Sequence, residues 1–318
     1  MRLTTIKHWV AVFVLGVLPF AKPCSAQSAF NINLDAVRRS VVFLHIVDSR
    51  GQLKEAGTGF LLLVPTKSDP NKGYLLLVTA RHIVDPQWAG CPATNDTLVA
   101  VFNKKGFDPK KETRGTVEVP LSRDWMFPDD DSADVAVTIL NGRKISKLNV
   151  ENQPIRISEL PSPQEVDRVN TGAQVVSAGL LLGASGTERN YPIFKFGYVS
   201  SVPDEKVSVA CCPGCVAHLQ HDWMIAASLV PGNSGSPIFF VPVGFPGISA
   251  GGQRAFLLGV QSVSYLGSDV AGMAPVEYLW DAIRKLNLSD ANLPTFGNTA
   301  TPSSAHPPNP AVPSSIPH

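Results

Sequence analysis

Three features of the sequence predict an all-β chain. Short runs rich in Val, Leu, Ile and Phe recur along it, clusters of Gly, Pro, Asn and Asp separate them, and alternating β/α patterning is absent. The elements follow in order. Residues 35–39 read as a short lead-in helix. Six strand-like runs come next, at 41–47, 57–64, 74–80, 97–103, 115–121 and 135–140, spaced as in a closed antiparallel β-structure. A polar, proline-bearing stretch from about 149 to 172 breaks the pattern and reads as a linker. Six further runs lie at 174–182, 194–202, 223–228, 236–241, 256–264 and 271–276. Apolar residues at 276, 279, 280, 283 and 286 then trace one face of a C-terminal helix. From 289 to 318 the composition shifts to Pro, Ser, Thr, Asn and Ala, which cannot bury enough apolar surface to order itself.

Three segments carry chemistry. Gly232-Asn233-Ser234-Gly235-Ser236-Pro237 offers a serine flanked by small residues, as a nucleophile needs when backbone N–H groups must close around an oxyanion. The apolar run 74–80 delivers His82 at its edge, a candidate base. Asp134 stands at the mouth of the β-branched run 135–140, a candidate orienting acid. Each alone reads as structural: a turn serine, a satisfied histidine, a capping aspartate. Together they supply the three side chains of acyl transfer, in the order His, Asp, Ser, with base and acid in the first half and nucleophile in the second.

The segments TARH at 79–82, ADVAV at 133–137, GNSGSP at 232–237 and GMAPV at 272–276 resemble those of the chymotrypsin-like (trypsin-fold) serine proteases. The resemblance implies two six-stranded antiparallel β-barrels, residues 27–160 and 161–288, with the site in the cleft between them. It implies that Ser234 attacks the scissile carbonyl, that His82 is general base and then acid, that Asp134 orients His82, and that the N–H groups of Gly232 and Ser234 form the oxyanion hole. Ser262, Val263 and Ser264 fall on the strand that pairs with the substrate backbone, with the Ser262 hydroxyl near the triad acid. Ser228 falls at the base of the primary specificity pocket and Gly272 on its wall. Neither is acidic, so a neutral or apolar substrate side chain is expected rather than Arg or Lys.

Asn233 replaces the aspartate that pairs with a freshly cut N-terminus in trypsin-like zymogens, so activation by N-terminal insertion is not expected. GNSG resembles instead the bacterial high-temperature-requirement proteases and the staphylococcal glutamyl endopeptidases. Residues 235–318 leave no room for the PDZ domain of the former. Gln261 departs from the glutamate-reading histidine of the latter. The expected activity is serine endopeptidase action on a peptide or protein substrate, without metal or other cofactor. Two alternatives stay open: a catalytically silent homologue that binds peptides or proteins, and an esterase of the same mechanism.

Met1-Arg2 and Lys7, the apolar run Trp9 to Phe20 and the small residues up to Ala26 read as a cleaved signal peptide over 1–26, because the apolar core is shorter than the ~20 residues that span a bilayer. A secreted or periplasmic protein with no membrane attachment after cleavage is expected. Four cysteines then remain: Cys91, Cys211, Cys212 and Cys215. Export favours disulfides among them, and Cys212-Pro213-Gly214-Cys215 with His218 and His221 would also suit a metal knuckle. Asp129-Asp130-Asp131 reads as a solvated loop. A net charge of +1 without a basic run gives no footprint for nucleic acid.

Overall fold

The structure, a computed structural model, describes residues 32–295 apart from 49, 91–96, 187, 211–216, 243–253 and 266. The leader, residues 296–318 of the tail and all the cysteines therefore lie outside the described residues. The tail expected to stay unordered from 289 is in fact tied down at its start, where Asp290 accepts from the Ser68 N–H and hydroxyl, the Asn292 N–H donates to the Pro65 carbonyl and Ala291 is buried.

A short helix, α1 (Leu34–Ser40), capped by the Asn33 side chain on the Ala36 N–H, leads into the first sheet. Its strands are β1 (Val41–Val47), β2 (Leu53–Pro65), β3 (Gly73–Thr79), β4 (Thr97–Asn103), β5 (Thr116–Pro120) and β6 (Ala136–Leu140), in the antiparallel order β5-β4-β1-β2-β3-β6. The chain after β5 brings Met126 against Val137 of β6 through two backbone hydrogen bonds, which joins the two ends of the sheet.

The near-continuous apolar runs of β2 and β3 follow from burial on both faces. Leu61 and Leu77 point into the first barrel with Val42, Leu44, Ala100 and Phe102. Their neighbours Phe60, Leu62, Leu76 and Val78 alternate to the other face and pack in a core shared with the second half of the chain. Each such side chain contributes ~1.5–3 kcal/mol on burial.

The stretch 149–172 is more structured than a linker. It forms β7 (Ile155–Arg156), which pairs parallel to β2, a 3-10 turn (Ile157–Glu159) and a one-turn helix (Pro163–Val166) with a Ser162/Glu165 capping box. Ile155, Ile157, Leu160, Val166 and Val169 are buried there. Polar residues between these apolar anchors disguised them in the sequence.

The second sheet closes completely. With β8 (Gln174–Gly179), β9 (Ile193–Ser201), β12 (Trp223–Ala226), β13 (Pro237–Phe240), β14 (Phe256–Ser264) and β15 (Val270–Pro275), its order is β12-β15-β14-β13-β8-β9. A hairpin of β10 (Val207–Val209) and β11 (His218–Gln220) stands apart from it. The predicted terminal helix spans Val276–Lys285 and buries Val276, Leu279, Trp280, Ala282 and Ile283 in the shared core.

Candidate active site

β3 and β6 are neighbours whose final pair is Thr79 with Ala136. The chain continuing from one strand and that entering the other therefore emerge side by side. His82 sits three residues beyond Thr79 on a single helical turn (Arg81–Val84), and Asp134 two residues before Ala136. The Asp134 carboxylate, fully buried, accepts from the His82 backbone N–H at 2.9 Å and meets the His82 ring Nδ1 at 2.7 Å. Two bonds to one residue fix the ring's position and orientation. Burial disfavours the imidazolium, but the charge and hydrogen bond of Asp134, with a contribution from Asp222, outweigh it and hold His82 above the usual histidine range.

Arg81 braces the same turn. Its guanidinium reaches Asp131 at 2.7 Å and Asp85 at 3.3 Å, and it lies over the rings of Phe127 and Trp88. Asp129 and Asp131 are solvent-exposed, as expected of a solvated loop, and each of the three carboxylates also has an ion-pair partner. Asp129 pairs with Lys285. Asp130 is partly buried, yet hydrogen bonds from Ser132 and Lys206 hold its carboxyl down at about 2.

Ser234 lies on the loop that enters β13. Gly232 and Gly235 there have φ of +96° and +84°, where other residues are strained, and a Cβ on Gly235 would collide with the Thr58 carbonyl and the Thr79 hydroxyl. The fully buried Thr58 of β2 is the loop's main support. Its N–H donates to the Ser234 carbonyl (2.8 Å), its hydroxyl donates to the Gly232 carbonyl (2.7 Å), and that hydroxyl accepts from the Leu180 N–H (2.9 Å). Asn233 is also buried, with its side-chain oxygen on the Val230 N–H and its amide on the Leu180 carbonyl. The N–H groups of Asn233, Gly235 and Ser236 donate to backbone carbonyls, whereas among the described residues those of Gly232 and Ser234 donate to none. The Ser234 hydroxyl donates to the Ser262 carbonyl at 3.2 Å. No hydrogen bond joins it to His82 among the described residues, although the sequence pairs the two as nucleophile and base.

A family model described as a trypsin-like peptidase domain matches residues 57–242. The chain belongs to the trypsin-like peptidase family. Among solved structures it is similar to the Rv3671c protease from M. tuberculosis in its active form, at 18% identity over 92% of this chain and 97% of that one, with a TM-score of 0.43. It is also similar to an inactive form of that protein carrying a serine-to-alanine substitution, at 17% identity over 80% and 90% of the two chains, with a TM-score of 0.40. No curated protein matches.

The remaining residues expected of a trypsin-like peptidase cleft fall as follows. A bulge between Gln261 and Ser264 sets Ser262 and Val263 of β14 opposite the single residue Gly272 of β15, which interrupts the ladder beside Ser234. The buried Gln261 side chain stays inside, donating to the Val263 carbonyl and the Ser264 hydroxyl. The Ser262 hydroxyl is hydrogen-bonded at 2.5 Å to a second carboxylate, Asp222, which itself feels the charge of Asp134. Gly272 leaves space for that pair, because a Cβ there would collide with the Asp222 carboxylate and crowd the Ser262 hydroxyl. Ser228 is exposed. Its hydroxyl donates to Asp269 (2.7 Å) and its carbonyl accepts from the Lys195 ammonium, so both signs of charge stand at a position read as neutral.

The supporting residues Thr58, Asp222 and Asp269 carried no sequence signal, since each acts on a residue far along the chain. Of the proposed metal knuckle, the cysteines lie outside the described residues. His218 packs on Trp88 and contacts the Gln220 amide, and His221 Nδ1 lies 2.6 Å from the Tyr278 hydroxyl.

Proposed function

We propose that this trypsin-like peptidase is an exported serine endopeptidase, with Ser234 as nucleophile, His82 as general base and then acid, and Asp134 as the residue that holds the His82 tautomer. The observation that carries the reading is the pair of hydrogen bonds, one from the ring and one from the backbone N–H, that tie His82 to the buried carboxylate of Asp134. That arrangement leaves Nε2 as the ring nitrogen free to take a proton, and Asp134 stabilises the imidazolium that results. Attack of Oγ on a peptide carbonyl places negative charge on the carbonyl oxygen, and the N–H groups of Gly232 and Ser234 are the donors proposed to receive it. Collapse expels the amine with the proton from His82, and water hydrolyses the acyl-enzyme by the same groups. Bonding of the extended substrate to Ser262, Val263 and Ser264 would take over the Ser262 carbonyl and release the Ser234 hydroxyl toward His82. Export to a secreted or periplasmic location rests on the leader pattern of residues 1–26, and disulfides among the four remaining cysteines on that location.

The test is reaction of the purified protein with a fluorophosphonate probe, compared with Ser234→Ala and read by intact mass. One phosphonyl adduct, lost in the variant, is the expected result. A folded wild-type protein that takes no adduct would overturn the reading in favour of a silent peptide-binding homologue, whose resting serine would remain bonded to Ser262.

A further inference from the structure

Asp222 stands immediately before β12, fully buried, where neither the triad nor the peptidase fold calls for an acid. Among the described residues no Lys or Arg pairs with it. One carboxylate oxygen is bonded to the Ser262 hydroxyl and the other has no partner among the described residues. A buried, half-satisfied carboxylate of this kind is costly. Among the described residues its one hydrogen-bond partner is the residue whose carbonyl holds the nucleophile, so Asp222, Ser262 and Ser234 form one chain of contacts. Gly272 provides the room the pair needs.

We infer that Asp222 is a second buried acid of this active site, a positioning residue that anchors Ser262 and sets the charge under which His82 works; the inference rests on the serine-peptidase reading above. The groups that act on Asp222 come from both halves of the chain. They are Ser262 on β14, His82 on its helical turn and Asp134 before β6; the charge of Asp222 in turn reaches Tyr265 after β14 and Tyr278 on the C-terminal helix, and the adjacent His221 is turned to Tyr278. Burial, with the like charge of Asp134 added, pushes the Asp222 carboxyl up to about 7 against the opposing Ser262 hydrogen bond and His82. Its negative charge in turn favours the His82 imidazolium. Two interacting buried groups that share one site lose their protons as a pair, in two macroscopic steps. Near neutrality the base is therefore tuned by whether Asp222 holds a proton, a control that Asp134 alone does not supply.

The test is a histidine-labelled NMR titration of the mature protein, with the His82 signal assigned by its loss in His82→Ala. The expected wild-type curve has two inflections. In Asp222→Asn, which is nearly isosteric and can still accept from Ser262, it becomes a single step displaced to lower pH, and the acid limb of kcat/KM moves with it. Ser262→Ala keeps both carboxylates but removes the hydrogen bond that lowers Asp222, so the second inflection moves up. Superimposed wild-type and Asp222→Asn curves, or a single-step wild-type curve should that variant not fold, overturn the inference. An unmoved second inflection in Ser262→Ala overturns the anchoring role. Fluorophosphonate labelling is run alongside to separate the two readings. No adduct with a two-step His82 curve defeats the hydrolase and leaves the coupling, whereas an adduct with superimposed curves defeats the coupling alone.

Discussion

The backbone N–H of Thr58 donates to the carbonyl of Ser234 at 2.8 Å, so a strand of the first barrel holds the proposed nucleophile of the second. The Thr58 hydroxyl adds two more bonds to the same region, from Leu180 and to Gly232, and both partners are buried. Replacement by the isosteric Thr58→Val would leave a donor and an acceptor unsatisfied. At ~1–3 kcal/mol for each buried orphan, a loss of about 2–5 kcal/mol is expected in urea unfolding, with a slower fluorophosphonate reaction because the Gly232 backbone is released. Unchanged stability would show that Thr58 does not brace the loop.

Thr58 also marks what the sequence conceals. The barrel strands were legible because most, β2, β3, β8, β13, β14 and β15 among them, are near-continuous runs buried on both faces, bounded by Gly, Pro, Asn and Asp clusters. His82, Asp134 and Ser234 were legible because each has small or β-branched neighbours of a particular kind. The hydroxyl of Thr58, within the run Gly57-Thr58-Gly59-Phe60, looks like any strand threonine. Asp222, in Gln220-His221-Asp222-Trp223, looks like a turn residue. Their roles depend on contacts between distant segments, which leave no periodic trace. The short β7 and the β10–β11 hairpin escaped for a related reason, since two or three residues are too few to show alternation.

Asp134→Asn is expected to lower peptide turnover by about 10⁴-fold with little change in fold. The amide can still accept from the His82 N–H, but its NH₂ would face Nδ1 and favour the wrong tautomer. In the wild type, the rate should fall as pH drops through the His82 pKa, because the imidazolium cannot accept the serine proton. Since His82 is held above the usual ~6.5, that acid limb should lie above 6.5. A pH profile of kcat/KM checks both, and an acid limb below 6.5 would contradict the charge balance around His82.

Asn233→Asp tests why an amide occupies the position before the nucleophile. The Asn233 amide donates to the Leu180 carbonyl at 2.8 Å, and a carboxylate there would face that carbonyl with no proton to offer. A cost of about 2–4 kcal/mol is expected at neutral pH. The new carboxyl would have a raised pKa, so the loss should shrink as pH falls and the protonated group regains the Leu180 bond. Chemical denaturation at pH 5 and pH 8 measures the difference, and equal losses at the two pH values would mean that repulsion at Leu180 is not the cause.

Asp222→Asn should stabilise the protein at alkaline pH. The folded carboxyl is pushed up to about 7 from the 3.8 usual for an aspartate, so the native state keeps a proton that the unfolded chain releases between those two values. Wild-type stability therefore falls as pH rises through this window, by on the order of 4 kcal/mol at ~1.4 kcal/mol for each pH unit. Below pH 4 both states are protonated and the penalty vanishes. The asparagine carries no proton to lose, so its melting temperature should exceed that of the wild type at pH 8.5 and the advantage should disappear toward pH 4. The same substitution is expected to lower the basicity of His82, so the change that strengthens the fold also alters the proposed catalytic base. Equal melting temperatures across the range would mean that Asp222 ionises as freely in the folded protein as in the unfolded chain, and that the charge around His82 comes from Asp134 alone.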